Sequence, residues 1–405
     1  MTTKPTYTPA RRFPDFQNDG EWEVKRLGEI CIVNPPSKDI PDEFYYLDLE
    51  SVVAGRIIGC NRIKREGAPS RAQRLVQKYD VLFQMVRPYQ QNNLYFLFED
   101  GQYVASTGYA VLRAKEGVSD SGYLYHIVHS KDFLSQVLQR CTGSNYPAIN
   151  SSSLEDICVP YPPLAEQHRI AACLSALDEM LAATNEKLEQ MKTYKKGLMQ
   201  QLFVNSTGGG KSLNINYLQI PKLRFPEFYD EKEWEEKKLG EIITTISPTK
   251  KLQSSEYKID GFYPIVDQSQ NYICGHSSDV DALINTTSDD LVVFGDHTCT
   301  LKFIDFPFIQ GADGIKIFHS SNPDKIDNRY LYQYLLSNPL VSKEYKRHFS
   351  ELKAKTISFP TNIEEQRKIA SCLSTMDDQI NAYTEKVGLL GQYKKGLMQQ
   401  LFVNI

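Results

Sequence analysis

EQHRIAACLSALDEMLAATNEKLEQMKTYKKGLMQQLFVN (166–205) returns 199 residues later as EQRKIASCLSTMDDQINAYTEKVGLLGQYKKGLMQQLFVN (365–404), with 23 of 40 positions identical and no gap. The ending YKKGLMQQLFVN is unchanged between the copies. Apolar positions fall in an alternating four-three rhythm. In the first copy they run Ile170, Leu174, Leu177, Leu181, Thr184, Leu188, Met191, Lys195, Leu198 and Leu202. In the second they run Ile369, Leu373, Met376, Ile380, Tyr383, Val387, Leu390, Lys394, Leu397 and Leu401. A mean spacing of about 3.5 residues over some five heptads marks a coiled-coil seam. The pattern predicts two helices of about 55–60 Å each, able to bury their stripes against each other. Leu174, Leu181 and Leu188 on one, and Leu373, Ile380 and Val387 on the other, are its central contacts.

A second repeat precedes each helix. RFPDFQNDGEWEVKRLGEI (12–30) matches RFPEFYDEKEWEEKKLGEI (224–242) at 12 of 19 positions, offset by 212. Trp22 and Trp234, the only tryptophans, share one slot, where a large ring can anchor this leader to the body that follows. The plan is leader, variable body, long helix, repeated once. Between the halves NSTGGGKSLN (205–214) reads as a flexible linker.

The bodies, about 31–160 and 243–358, show no useful sequence similarity to each other in the middle. Both read as mixed α/β with many short strands. DVLFQMV (80–86), LYFLFED (94–100) and YVASTGYAVLRA (103–114) predict strands in the first, and 122–141 a single helix. In the second, YPIVDQ (263–268), DLVVFG (290–295), TLKFID (300–305) and GIKIFHS (314–320) predict strands, and 328–349 a helix. The fold class expected is therefore α/β (α+β): two globular bodies, 1–165 and 223–363, and two spacer helices, 166–205 and 364–405, with 206–222 between. One protein recognising two different things is the economical reading of one frame with two contents.

Composition narrows the function. The 405 residues carry a net charge of −4 and are 41% apolar. Overall charge gives no nucleic-acid signal, so any such signal must be local. No apolar run approaches the ~18–20 residues of a membrane span, and the opening MTTKPTYTPARRF lacks the apolar core of a secretory leader. Eight cysteines without a C-x-x-C pair suggest neither disulfides nor zinc, and point to a reducing cytoplasm.

A search for catalysis fails. NPPS (34–37) is similar to the loop with which amino-methyltransferases grip a base, but Ser37 stands where an aromatic is needed and no glycine-rich cofactor loop precedes it. GGGKS (208–212) lacks the first glycine of a phosphate loop and a feeding strand. Asp15 with Glu23 and Lys25 resembles a nuclease pattern, yet its repeat partner is a leader with Glu227 in place of Asp15. The seven histidines do not cluster with other ligands. No catalytic residue, bound cofactor or metal is expected.

Reading of DNA fares better. Arg62, Lys64, Arg65, Arg71, Arg74, Lys78 and Arg87 stand against only Glu66 and Asp80, a run able to follow phosphates. The loop MVRPYQQNNLYF (85–96) then offers Arg87, Tyr89, Gln90, Gln91, Asn92 and Asn93. Arginine suits guanine edges, asparagine and glutamine adenine edges. TGSNYPAINSSS (142–153) adds Ser144, Asn145 and Tyr146. In the second body the counterparts are DQSQN (267–271) with Gln268, Ser269 and Gln270, GDHT (295–298) with His297 and Thr298, and QGADG (310–314). A solvated charged face and ordinary polar loops are the plain alternatives.

FPxF…WExxxLGEI leaders, variable bodies and EQxxIAxxLSxxD…YKKGLMQQLF helices, in duplicated order, resemble the specificity subunit of type I restriction-modification enzymes. The junction 143–170 resembles that family's too, whereas its partner, 356–363, is looser. The resemblance covers nearly the whole chain from Arg12. It implies that each body is a target recognition domain reading one half of a split, asymmetric sequence in double-stranded DNA. It also implies an antiparallel helix pair that fixes their separation and docks two modification subunits. Those subunits bind S-adenosylmethionine and methylate adenine; restriction subunits using ATP and Mg cleave. A pseudo-two-fold axis across the DNA independently demands antiparallel helices. Because Lys195 and Lys394 interrupt the seam at equivalent places, the seam is expected to open there, with the identical tails contacting modification subunits. The competing readings are a coiled-coil scaffold joining two protein-binding domains, and a self-sufficient methyltransferase or nuclease.

Overall fold

The structure, a computed structural model, describes residues 7–37, 40–99, 102–204, 221–231, 234–248, 250–286, 290–312, 314–341, 346–403 and 405. The expected linker falls almost wholly outside the described residues. Both repeated segments are continuous helices, Leu164–Leu202 and Ile363–Leu401, 39 residues each, or about 58 Å. Every seam position is buried or half-buried, as the 3.5-residue period requires.

The chain forms two compact units, Met1–Asn185 with Glu385–Ile405, and Glu186–Thr384. Each takes the front of one long helix and the rear of the other. In the first unit Ile170 and Leu174 join Leu397, Leu401 and Phe402 in one core with Trp22 and Tyr123. In the second, Ile369 and Leu373 join Met199, Leu202 and Phe203 with Trp234 and Tyr330. Within each unit the two helical segments therefore run antiparallel.

The bodies share a topology that their sequences conceal. In the first unit a four-stranded sheet has the order Asn61–Lys64, Glu43–Leu47, Tyr103–Ser106, Ala72–Leu75, its central pair parallel. A second sheet runs Cys31–Val33, Tyr109–Ala114, Val81–Gln84, Leu94–Tyr95, antiparallel throughout. The second unit repeats both. Gly275–Ser277, Tyr263–Val266, Phe308–Gln310, Leu283–Ile284 form one sheet, again with a parallel centre. Ile243–Ile246, Ile315–Ser320, Leu291–Gly295, Leu301–Ile304 form the other. Strand identity rests on burying apolar side chains, which many sequences satisfy.

Two helix expectations need correction. The stretch 122–141 is two helices, Ser121–Ile127 and Lys131–Arg140, because Ser130 turns extended and its hydroxyl caps the Phe133 N–H at 3.2 Å. Helix Asn328–Ser337 stops before Asn338-Pro339, since proline forbids the preceding residue a helical backbone.

The repeated Glu-Gln that opens each long helix is a clamp. Glu166, fully buried, accepts Arg12 Nε at 2.8 Å and Nη2 at 2.7 Å, and Trp22 Nε1 at 3.0 Å. Those bonds to Glu166 raise the Arg12 pKa further. Gln167 accepts the Asp120 N–H at 3.0 Å and donates to Pro162 O at 2.9 Å. The second unit repeats this with Arg224 on Glu365 at 2.7 Å twice, and Gln366 between Asp327 N and Pro360 O. Trp234 is as buried as Trp22, but among the described residues its Nε1 has no hydrogen-bond partner. A carboxylate in the first turn of a helix also complements the helix dipole.

The expected opening of the seam is overturned. Lys195 is 8% exposed and donates to both carboxylate oxygens of Asp377 at 2.6 Å. Lys394 pairs with Asp178 in the first unit. Each lysine is carried by a facing aspartate instead of ending the packing. The tail side chains Leu202, Phe203, Leu401 and Phe402 lie in cores, so they are not free to face a partner.

Candidate DNA-reading surfaces

The basic run does not form one face. Arg62 and Lys64 project from the outer strand Asn61–Lys64, exposed, with Arg62 3.3 Å from Glu43. Arg65 donates to Ile40 O at 3.1 Å. Arg74 lies on Ala72–Leu75 at the opposite edge of that sheet, where burial lowers its pKa. A run contiguous in sequence is thus divided between two edges.

The two loops expected to read DNA in the first unit do meet. Arg87 N–H donates to Pro147 O at 2.7 Å, and the guanidinium of Arg87 lies 4.2 Å from the centroid of the Tyr146 ring. Tyr89, Gln90, Ser144, Asn145 and Tyr146 are exposed, and Gln91 and Asn92 half-buried. Asn93 is a correction: it is 1% exposed, its Oδ1 accepting Gln84 N–H at 2.8 Å and its Nδ2 3.3 Å from His129 Nε2. Asn92 is likewise engaged, accepting Ala54 N–H at 3.2 Å. These amides brace the loop. Gln84, the last residue of its strand, completes the brace by donating to Val86 O and Gln90 Oε1, both at 2.8 Å.

In the second unit the three expected loops also converge. Thr298 Oγ1 donates to Gln268 O at 2.8 Å, and Gln270 Nε2 donates to Thr300 Oγ1 at 3.3 Å. The Gln268 side chain lies against Gly314, where a Cβ would come within 2.9 Å of its amide and where φ is +92°. Only glycine meets both conditions. Ser269 N–H and the Cys274 thiol both donate to Asp267 Oδ1 at 2.8 Å. Buried Lys302 donates to Asp267 O and Asn271 O at 2.7 and 2.6 Å, and burial lowers its pKa. His297 Nδ1 sits 3.2 Å from Lys346 O.

Strand register makes the loops comparable. Gln84 pairs with Tyr109 as Gly295 pairs with Ile315, and Met85 N–H bonds Gly108 O as Asp296 N–H bonds Gly314 O. Past these pairs the loops diverge: nine residues lead to the next strand in the first unit and five in the second, and the left-handed backbone falls on Arg87 in one and on Cys299 in the other. The same platform therefore presents different chemistry in each unit. Among the described residues no group of acidic, histidine or cysteine side chains could hold a metal ion, and no helix is long and apolar enough to cross a membrane.

Sequence reasoning missed the Glu166 and Glu365 clamps and the Lys–Asp pairs. A signal existed for the latter, since Asp178 and Asp377 obey the same 199-residue offset as the lysines.

Comparison with known proteins agrees with this architecture. The family model described as type I restriction modification DNA specificity domain matches residues 19–193 and 231–388. The type I restriction enzyme MjaVIII specificity subunit of Methanocaldococcus jannaschii is 25% identical over 94% of this chain and 92% of its own length. The putative MjaX specificity subunit of that organism is 26% identical over 72% of this chain and 69% of its own. In fold, the chain is similar to the type I restriction-modification S subunit from M. genitalium, with a TM-score of 0.65 at 16% identity, covering 98% of this chain and 100% of that one. With two platforms of one topology, differing loops and both family matches spanning them, this chain belongs to the family of type I restriction-modification DNA-specificity subunits.

Proposed function

We propose that this chain directs a type I restriction-modification complex to a split, asymmetric DNA sequence, its first unit reading one half and its second the other. The observation that carries this is the difference between the loops that leave strands Val81–Gln84 and Leu291–Gly295 on a shared frame, one presenting Arg87 and the other shorter and without an arginine: equal platforms with unequal readers fit two unequal half-sites. The long helices serve as the spacer between them. Two modification subunits using S-adenosylmethionine methylate adenine in the two halves, and restriction subunits using ATP and Mg cleave unmodified DNA. The chain itself supplies binding and discrimination. A cytoplasmic location suits this work. Genome-wide methylation mapping of a strain that expresses this chain with its modification subunit tests the proposal. One bipartite motif with a fixed gap is expected; a continuous motif, or none, refutes it.

A further inference from the structure

The loop that follows strand Val81–Gln84 holds its polar residues unequally. Asn92 accepts from Ala54, Asn93 accepts from the Gln84 N–H and faces His129, and Gln84 donates to Val86 and to the side-chain oxygen of Gln90, so these amides are engaged within the protein. Arg87 is treated differently. Its backbone has φ +54°, and Gln91, at the other end of the Pro88–Gln90 turn, has φ +53°. A non-glycine residue held left-handed is strained, and such strain persists only where surrounding structure imposes it. Here the Arg87 N–H bond to Pro147 O and the Gln84–Asn93 braces impose it.

Among the described residues nothing accepts from the Arg87 guanidinium, and its Nε is buried without a partner. The guanidinium carbon lies 4.2 Å from the centroid of the Tyr146 ring, a cation–π contact that holds the group beside it. With Nε covered, the two terminal nitrogens are the edge left to bind. A two-pronged donor held beside an aromatic ring matches the O6 and N7 acceptors of guanine in the major groove. A phosphate accepts the same fork, so sequence dependence is what separates the two acceptors.

We propose that Arg87, held beside Tyr146 by a cation–π contact, reads a guanine in the half-site of the first unit, making Arg87 a specificity-determining residue and Tyr146 its positioning residue. The proposal rests on the two-reader function above. It shifts the expected chemistry of this loop away from asparagine-adenine contacts and towards arginine-guanine. Thr298 cannot make this contact in the second unit.

The test uses the full chain assembled with its modification subunit, methylating duplexes in which each base pair of the mapped site is changed singly. Discrimination at one G·C pair of the first half-site should fall roughly tenfold or more in Arg87→Ala and Arg87→Lys. All other positions should hold, and retained discrimination in the second half-site shows that the variants are folded. Tyr146→Phe should keep the discrimination, and Tyr146→Ala should lose part of it. Unchanged discrimination in Arg87→Ala overturns the proposal. So does an equal loss on every sequence with a salt dependence reduced by about one ion, the mark of a phosphate contact. Absence of any sequence preference in the unaltered complex would overturn the two-reader function itself, and this proposal with it.

Discussion

Lys195 and Asp377, on different helices and 182 residues apart, are joined by two hydrogen bonds of 2.6 Å, and Gln333 adds a third to the same carboxylate at 2.8 Å. The internal repeat maps this pair onto Lys394 and Asp178. A lysine in an apolar seam costs stability in isolation but specifies register when only one facing position can neutralise it.

Removing one partner should therefore be worse than removing both. Lys195→Met is expected to lower stability by about 1–3 kcal/mol, as it strands a partly buried carboxylate. Adding Asp377→Leu should recover much of that loss. Urea unfolding of both variants checks the ordering, and equal losses would count against the register role.

Acid should loosen the first unit. Burial holds the His126 pKa well below its usual value and also lowers that of His129, with Lys394 adding to both. His126 faces Ser175 at 3.2 Å and Asp178 at 3.9 Å. A base whose pKa is depressed on folding binds protons more readily unfolded. The stability it contributes is full above the unfolded value of about 6.5 and lost as pH falls below it. Thermal unfolding from pH 8 to 5 should show that loss, reduced in His126→Gln.

Exchange of residues 243–358 for the equivalent body of another specificity subunit should alter one half-site and leave the other and the gap intact. Methylation mapping of the chimera decides it. A change in both halves would mean that the readers are not independent.

Insertion of four residues after Asn185, with four more after Thr384 to keep the helices matched, adds about 6 Å to each helix. The mapped gap should lengthen by nearly two base pairs, with the half-sites unchanged. An active complex with its original gap would refute the spacer role.

What the sequence revealed and what it hid have separable causes. The helices and leaders were legible because the 199- and 212-residue repeats are nearly gapless and periodicity is a local signal. The shared topology of the bodies was not. Tyr45 beside Tyr103 and Ile265 beside Ile309 occupy like positions in parallel pairs with no common residue. Long-range strand pairing leaves little trace within a window of sequence. Among the site residues, loop membership was readable for Arg87, Tyr146, Gln268 and Thr298. The division of labour was not, because composition cannot say whether Asn93 faces solvent or its own backbone. Lys195 misled for a similar reason, its answer lying on another helix.

The division of each long helix between units has a consequence for synthesis. Residues 186–384 are contiguous and can complete their own unit as they emerge from the ribosome. The first unit cannot close in the same way, for Leu397, Leu401 and Phe402 belong to the core around Trp22. A chain stalled before residue 385 would thus carry an intact second reader and an unfinished first one. Premature termination damages the end of the protein that was made earliest.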